Sequence, residues 1–347
     1  MATDLYYTQE LHGPYSLFDL GDVTLAEGGT LRGAKLAFAT LGTLSPSRDN
    51  AVLVPTWYSG TSKIMEQVLV GPGRAIDPAR HFVIIVNQLG SGLSSSPSNT
   101  SVPFNGPNFP HIRIEDDVKA QHRLVTEHFG IEVLQLVIGG SMGAQQTYEW
   151  AARFPAMVKR AMPIAGTARN KPHCRLIAGA FVDALRSDPM FDDGFYASSG
   201  AVHRGLVRHS RAFAITGLCA EFYKQNLWQT VGFSSIDDFL VGFMDGYFLP
   251  MDPNNLLCMA WKWQHGDTGR VAGGDLAAAL GRIKARTTVV ALSSDLFFPP
   301  ADVEDDQKLV SGSNFAIIET HCGHAGLFAL EPTYIPQLDR LIAEILG

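Results

Sequence analysis

A serine becomes a nucleophile only when it is held accessible and a base takes its proton. The stretch Gly139-Gly140-Ser141-Met142-Gly143 supplies the first condition. A glycine two residues before the serine and another two after it allow a strained turn and close approach of the flanking backbones. The pattern is cheap by itself, because glycine and serine are common and the spacing is short. It gains meaning from a strand before it and a helix after it. The aliphatic run Leu134-Gln135-Leu136-Val137-Ile138 precedes the turn, and a helix is expected from Met142 to about Phe154, stopped by Pro155. Ser141 is therefore the candidate nucleophile for attack on an acyl group.

Its partners should follow in the order acid, then histidine. Of eleven histidines, only His321 and His324 come after the strand-like run Phe315 to Ile318. His324, between Gly323 and Ala325-Gly326, sits where a loop can turn tightly, so it is the expected base; His321 reads as an ordinary loop residue. Asp295 directly follows the run Thr287 to Leu292, at a strand's carboxyl end, and is the expected acid that holds the imidazole tautomer. Asp302, Glu304, Asp305 and Asp306 read instead as a solvated helix start.

An oxyanion needs two backbone N–H donors. Met142, the residue after the nucleophile, offers one. The loop Pro55-Thr56-Trp57-Tyr58-Ser59-Gly60, which follows the run Ala51 to Val54, offers the other, with Tyr58 the first choice and Trp57 the second. The two rings could equally form pocket wall.

The elements that must position these residues are legible as eight strand-like runs. Leu17 to Leu25 and Leu31 to Leu41, around Glu27-Gly28-Gly29, predict antiparallel strands. Ala51 to Val54, Phe82 to Val86, Leu134 to Ile138, Ala161 to Ile164, Thr287 to Leu292 and Phe315 to Ile318 read as strands buried on both faces of a parallel sheet. Ile114 to Gly130 predicts a helix, with acids in its first turn and a closing glycine. Ile335 to Leu346 reads as a closing helix. From Gly166 to Gly273 the strand runs give way to aromatic, helix-like segments. The expected organisation is a core of residues 1–165 and 274–347 with a helical lid inserted over 166–273. Trp261-Lys262-Trp263-Gln264-His265 within it could line a pocket, form a subunit contact or simply pack the lid.

Composition narrows the function. Hydrophobic residues make up 46% and charged residues 18% of 347, which suits a sizeable core. A net charge of −7 without a clustered basic face argues against nucleic acid. The start lacks a basic region followed by an apolar one, and no apolar run is long enough for a bilayer, so a soluble cytoplasmic protein is expected. Four scattered cysteines suggest neither disulfides nor zinc, and His321-Cys322-Gly323-His324 is a weak metal match; no metal is expected. No phosphate-binding glycine loop follows a strand, so no cofactor is expected.

The chain resembles the homoserine O-acetyltransferase group of the α/β-hydrolase superfamily, together with its esterase and hydrolase relatives. The resemblance rests on Gly139 to Gln146 with Glu149-Trp150-Ala151, on Ser187-Asp188-Pro189 with Gly194-Phe195-Tyr196, on Ser294 to Pro300, and on Gly323-His324. It implies an α/β-hydrolase fold, a mostly parallel eight-stranded sheet flanked by helices with a helical lid insertion, and a Ser141, Asp295, His324 triad. It also implies a homodimer joined through the lid helices. Trp57, Ser59 and Arg211 are the candidate substrate-pocket residues. Two departures bear on the acceptor. Where the acetyltransferases carry His-Ala-Leu-Thr-Gly, this chain has Thr56-Trp57-Tyr58-Ser59-Gly60; where they carry an Arg and Ile-Thr-Tyr, it has Ile215-Thr216-Gly217.

Three functions compete. The first is hydrolysis of a carboxylic ester through a covalent acyl-enzyme, with a small-molecule ester as substrate. The second is transfer of an acyl group from an acyl-CoA to homoserine or another alcohol through the same intermediate. The third is a binding module without turnover, against which the intact Ser, Asp and His positions speak.

Overall fold

A computed structural model of the chain describes residues 6–347. Eight strands form one sheet in the order β1-β2-β4-β3-β5-β6-β7-β8. These are β1 (Ser16–Thr24), β2 (Thr30–Leu41), β3 (Ala51–Pro55), β4 (Phe82–Val86), β5 (Leu136–Gly140), β6 (Arg160–Ile164), β7 (Arg286–Leu292) and β8 (Asn314–Ile318). Pairing of β1 with β2 and of β2 with β4 is antiparallel, and from β4 onward every pair is parallel. The mostly parallel eight-stranded sheet matches the expectation.

Side-chain alternation explains why the strand runs are apolar without interruption. Val52, Val54, Val83, Ile85, Ile138, Val290 and Leu292 pack on one face of the sheet. Their neighbours Leu53, Ile84, Val86, Val137, Val289 and Ala291 pack on the other. Successive residues of a strand point to opposite faces, so a strand covered on both sides is apolar along most of its length. The first face is covered by the Ser62–Leu69 helix, through Met65, Val68 and Leu69, and by the Tyr334–Leu346 helix. In the latter, Leu338, Leu341, Ile342 and Ile345 form a stripe at helical spacing. The second face carries the Ile114–Arg123 and Met142–Arg153 helices.

Two boundaries differ from expectation. The helix from Ile114 is α-helical only to Arg123 and widens into a π turn over Leu124–His128, before Gly130 ends it at φ +61°. Strand β5 lies two residues later than its aliphatic run. Leu134 makes only an isolated bridge to Val158, while Gly139 and Gly140 continue the pairing against Pro163 and Ile164.

Between β6 and β7 the chain runs through the helices Pro172–Arg186, His203–Gly217 and Pro253–Gln264, with shorter helical segments between the last two, among them Ala220–Lys224 and Ile236–Phe239. Phe181, Phe213 and Trp263, one from each, meet as an aromatic cluster. The following turns, Thr268–Ala272 and Leu276–Leu280, pack back against the Met142–Arg153 helix of the core.

Candidate active site

Ser141 sits at the junction of β5 and the Met142–Arg153 helix with φ 56° and ψ −122°, a backbone state that L-residues rarely occupy. The surrounding structure over-determines it. The Ser141 amide donates to Ile164 O at 2.9 Å, and Ser141 O accepts from Ala144 N at 2.9 Å. Both framing glycines are required by space. A Cβ on Gly139 would lie 2.5 Å from Gly143 O, and one on Gly143 would lie 2.6 Å from Pro55 O.

The three residues that the strand ends were expected to present are hydrogen-bonded in series. His324 Nε2 lies 2.9 Å from Ser141 Oγ, and His324 Nδ1 lies 2.8 Å from Asp295 Oδ2. The other carboxylate oxygen of Asp295 accepts the amides of Phe297 at 2.8 Å and Phe298 at 3.1 Å. All three residues are 5% exposed or less. A carboxylate so satisfied fixes which imidazole nitrogen carries the proton and leaves Nε2 facing the hydroxyl as acceptor. The Phe297 ring stacks on the imidazole, with centroids 4.5 Å apart. Two hydroxyls lace the acid's loop to the histidine's: Ser294 Oγ donates to Thr320 O at 2.7 Å, and Thr320 N donates to Ser293 Oγ at 3.1 Å. His321 stands apart, its amide donating to Glu331.

Met142 is the first residue of its helix, so helix geometry leaves its N–H without an intrahelical acceptor. In the loop after β3, Trp57 O accepts the Gly60 amide at 3.4 Å. Because a peptide is planar and trans, the Tyr58 N–H points the opposite way from that carbonyl. Trp57, Tyr58 and Ser59 all border a narrow pocket that also holds Ser141 and His324. The rest of its wall is Phe213, Trp263, Phe297, Leu327 and Phe328. The Tyr58 hydroxyl points away into the inserted helices, 3.0 Å from His209 Nε2 and donating to Leu256 O at 3.2 Å. Burial pushes the His209 pKa down to about 3, so its imidazole is neutral.

Arg211 does not border this pocket. Its guanidinium binds both oxygens of Asp245, at 2.6 and 2.9 Å, as a bidentate pair inside the insertion. It is thus engaged away from the wall of this pocket. Asp306 also differs from expectation: it is buried, accepts the Ala168 amide at 2.7 Å, and has its pKa pushed up to about 6 by burial. Trp263 lines the pocket, whereas Trp261 stacks between His111 and His265. No cluster of three or more metal-ligating side chains exists among the described residues.

Sequence reasoning passed over several residues around the site. Phe297 and Phe298 could have been noticed as the aromatic pair directly after the acid. Lys262 is fully buried, and a single cation between two tryptophans was its only signal.

Comparison with known proteins places the chain among α/β hydrolases. Over 342 residues the chain is 52% identical to an ethyl acetate hydrolase of Pseudomonas veronii, covering 99% of this chain and 98% of that one. It superposes on the crystal structure of an acetylester hydrolase from Corynebacterium glutamicum with a TM-score of 0.98, at 48% identity, over 100% of this chain and 99% of that one. A homoserine O-acetyltransferase of Thermobifida fusca is 31% identical over 93% of this chain and 91% of its own. The description "alpha/beta hydrolase fold" matches residues 67–329. With three quarters of its length inside that match, the chain belongs to the alpha/beta hydrolase fold family.

Proposed function

We propose that this enzyme hydrolyses small carboxylic esters, acetates above all, with Ser141 as nucleophile, His324 as base and acid, and Asp295 as its orienting carboxylate. The observation that carries the reading is the Ser141–His324–Asp295 series at the wall of a narrow aromatic pocket. The likeness to an ethyl acetate hydrolase supports the same substrate class.

His324 Nε2 takes the proton of Ser141 Oγ as the oxygen attacks the ester carbonyl carbon. The N–H groups of Met142 and Tyr58 receive the resulting oxyanion. The imidazolium then protonates the leaving alkoxide, the C–O bond breaks, and the alcohol departs, leaving an acyl-serine. Water, deprotonated by the same nitrogen, attacks this acyl group. Collapse of the second tetrahedral intermediate releases the acid and returns the proton to Ser141.

Water is favoured over an amino-acid alcohol as acceptor because no Asp, Glu, Lys or Arg is among the residues that wall the pocket. A homoserine-type acceptor brings a carboxylate and an ammonium, each costly to enclose without a partner. Transfer from an acyl-CoA is the competing chemistry. We assign the helices between β6 and β7, residues 166–273, as the lid that closes the pocket with Phe213 and Trp263. Leu176, Ile215 and Val241, each more than 60% exposed on that insertion, support the homodimer contact there. Four free cysteines suit the cytoplasm, and no described helix is long and apolar enough to cross a membrane.

The deciding experiment measures acid release from ethyl acetate and p-nitrophenyl acetate, with and without homoserine. Hydrolysis independent of homoserine, and a drop of at least about 10⁴-fold in kcat for Ser141→Ala, is expected. CoA release from acetyl-CoA that requires homoserine would replace the reading with acyl transfer.

A further inference from the structure

Three side chains deep in the molecule carry no role in the chemistry above. Lys262, on the inserted Pro253–Gln264 helix, and Asp117, on the core Ile114–Arg123 helix, are both fully buried and form an ion pair. Gln88, in the loop after β4, is buried beside them. Burying a charge pair is expensive and rarely the most stable filling for a core, so its bonding pattern is informative.

The Lys262 ammonium donates to Asp117 Oδ2, to Leu89 O at 2.7 Å and to Gln88 Oε1 at 3.4 Å. Asp117 Oδ1 in turn accepts the Leu89 amide at 2.8 Å. An ammonium has donors only, so the Gln88 amide must turn its oxygen toward Lys262 and its nitrogen away. That nitrogen donates to Thr56 O at 2.7 Å. A second relay reaches the same carbonyl from the other side. The Trp150 indole, also donor-only, donates to Gln121 Oε1 at 2.7 Å. Gln121 Nε2 donates to Gln146 Oε1 at 2.5 Å, and Gln146 Nε2 donates to Thr56 O at 3.1 Å and to Met142 O at 3.3 Å. Both lone pairs of Thr56 O are thus claimed by amides whose orientation is dictated by a donor-only group at the end of each chain. Thr56 precedes the Trp57–Tyr58 peptide whose N–H is assigned above to the oxyanion, and Gln146 ties Thr56 O to Met142 O, in the residue assigned the other donor.

We propose that the Lys262–Asp117 pair, acting through Gln88, positions the oxyanion loop Thr56–Tyr58 and makes its geometry depend on the seating of the inserted Pro253–Gln264 helix. Lys262, Asp117 and Gln88 are positioning residues; none borders the pocket. This rests on the ester-hydrolase reading, because an oxyanion hole matters only to acyl chemistry.

The distinguishing property of such a device is that it acts on the transition state and not on substrate binding. Removing Lys262 alone would strand a buried carboxylate, so the test uses the neutral pair Asp117→Asn/Lys262→Met, which removes both charges together. With p-nitrophenyl acetate, kcat should fall about 10- to 100-fold while KM stays within about twofold. The Ki of a small alkylboronic acid, whose adduct with Ser141 places an oxygen in the hole, should rise by a similar factor. Gln88→Met, which leaves the ion pair intact, should show the same split and serves if the double variant does not fold. Wild-type kcat in either folded variant, or a loss expressed in KM with unchanged boronate affinity, overturns the proposal. A wild type that hydrolyses no ester overturns the ester-hydrolase reading itself, and the proposal with it.

Discussion

The Asp295 carboxylate has three donors on two oxygens: the His324 ring and two backbone amides. Its value to the imidazole lies in being a pure acceptor, since an amide in its place could donate and favour the wrong tautomer. Asp295→Asn is therefore expected to lower kcat by about 10⁴-fold on p-nitrophenyl acetate while leaving the circular dichroism spectrum unchanged. A fall under tenfold would remove Asp295 from its proposed role. His209 makes a different prediction. Its folded pKa, about 3, lies below the ordinary 6.5, so its stabilising contribution is present above pH 6.5 and is lost as pH falls toward 3. In His209→Gln, which can still bond the Tyr58 hydroxyl but does not titrate, Tm should fall less steeply between pH 7 and 4 than in the wild type. Equal slopes would show that His209 does not contribute to acid lability. Ser141 and Asp295 could be picked out in the sequence because each lies just past an apolar run, and His324 because small residues flank it in the loop after the last run, with chain order suggesting their parts. His209 and Lys262 could not. Their partners Tyr58 and Asp117 are 151 and 145 residues away, and nothing local distinguishes a buried polar residue from an exposed one.

At the scale of elements, the sharp turn at Ser141 depends on how closely the Met142–Arg153 helix approaches the end of β3. Gly143 is where they touch. Because a Cβ there would lie 2.6 Å from the backbone oxygen of Pro55, and not against a side chain that could swing away, the helix or the loop must move. Gly143→Ala is expected to cost about 1–3 kcal/mol and to lower Tm by at least about 2 °C. It should also lower kcat, since the displaced loop carries Tyr58. An alanine variant with both wild-type Tm and wild-type kcat would mean that the contact relaxes freely. The strands were legible because residues covered on both faces must all be apolar, as in Phe82–Val86. The offset of β5 was not, because Gly139 and Gly140 look like turn residues and pair as strand only where Pro163 and Ile164 lie alongside. The π turn at Leu124–His128 has no distinct composition, and a single period fits it as well as the α-helix before it.

On the scale of the whole molecule, the pocket belongs to neither the sheet nor the insertion. Ser141 and His324 come from strand ends, whereas Phe213 and Trp263 come from separate inserted helices and reach the site only when the insertion is seated. Phe213 carried no signal of that placement in sequence, and Trp263 lay in a stretch whose readings as pocket wall, subunit contact or packing had nothing local to separate them. The rings brace one another: Phe297 lies 5.5 Å from Phe213 and 5.2 Å from Trp263, centroid to centroid, and also stacks on His324. A narrow pocket walled by rings that brace one another favours a short acyl chain over a longer one, since interlocked rings cannot yield singly. Truncating the ring at 213 opens the side of the pocket formed by the helices between β6 and β7 without touching the groups that bond Ser141. Phe213→Ala is accordingly expected to raise kcat/KM for p-nitrophenyl hexanoate relative to the acetate by about tenfold or more, because each added methylene that finds apolar room contributes about 1–3 kcal/mol. Stopped assays across a two- to eight-carbon acyl series would measure it. An unchanged acetate preference in a folded Phe213→Ala protein would place the limit on the core side of the pocket, at Leu327 and Phe328, and would leave the insertion a cover that does not select.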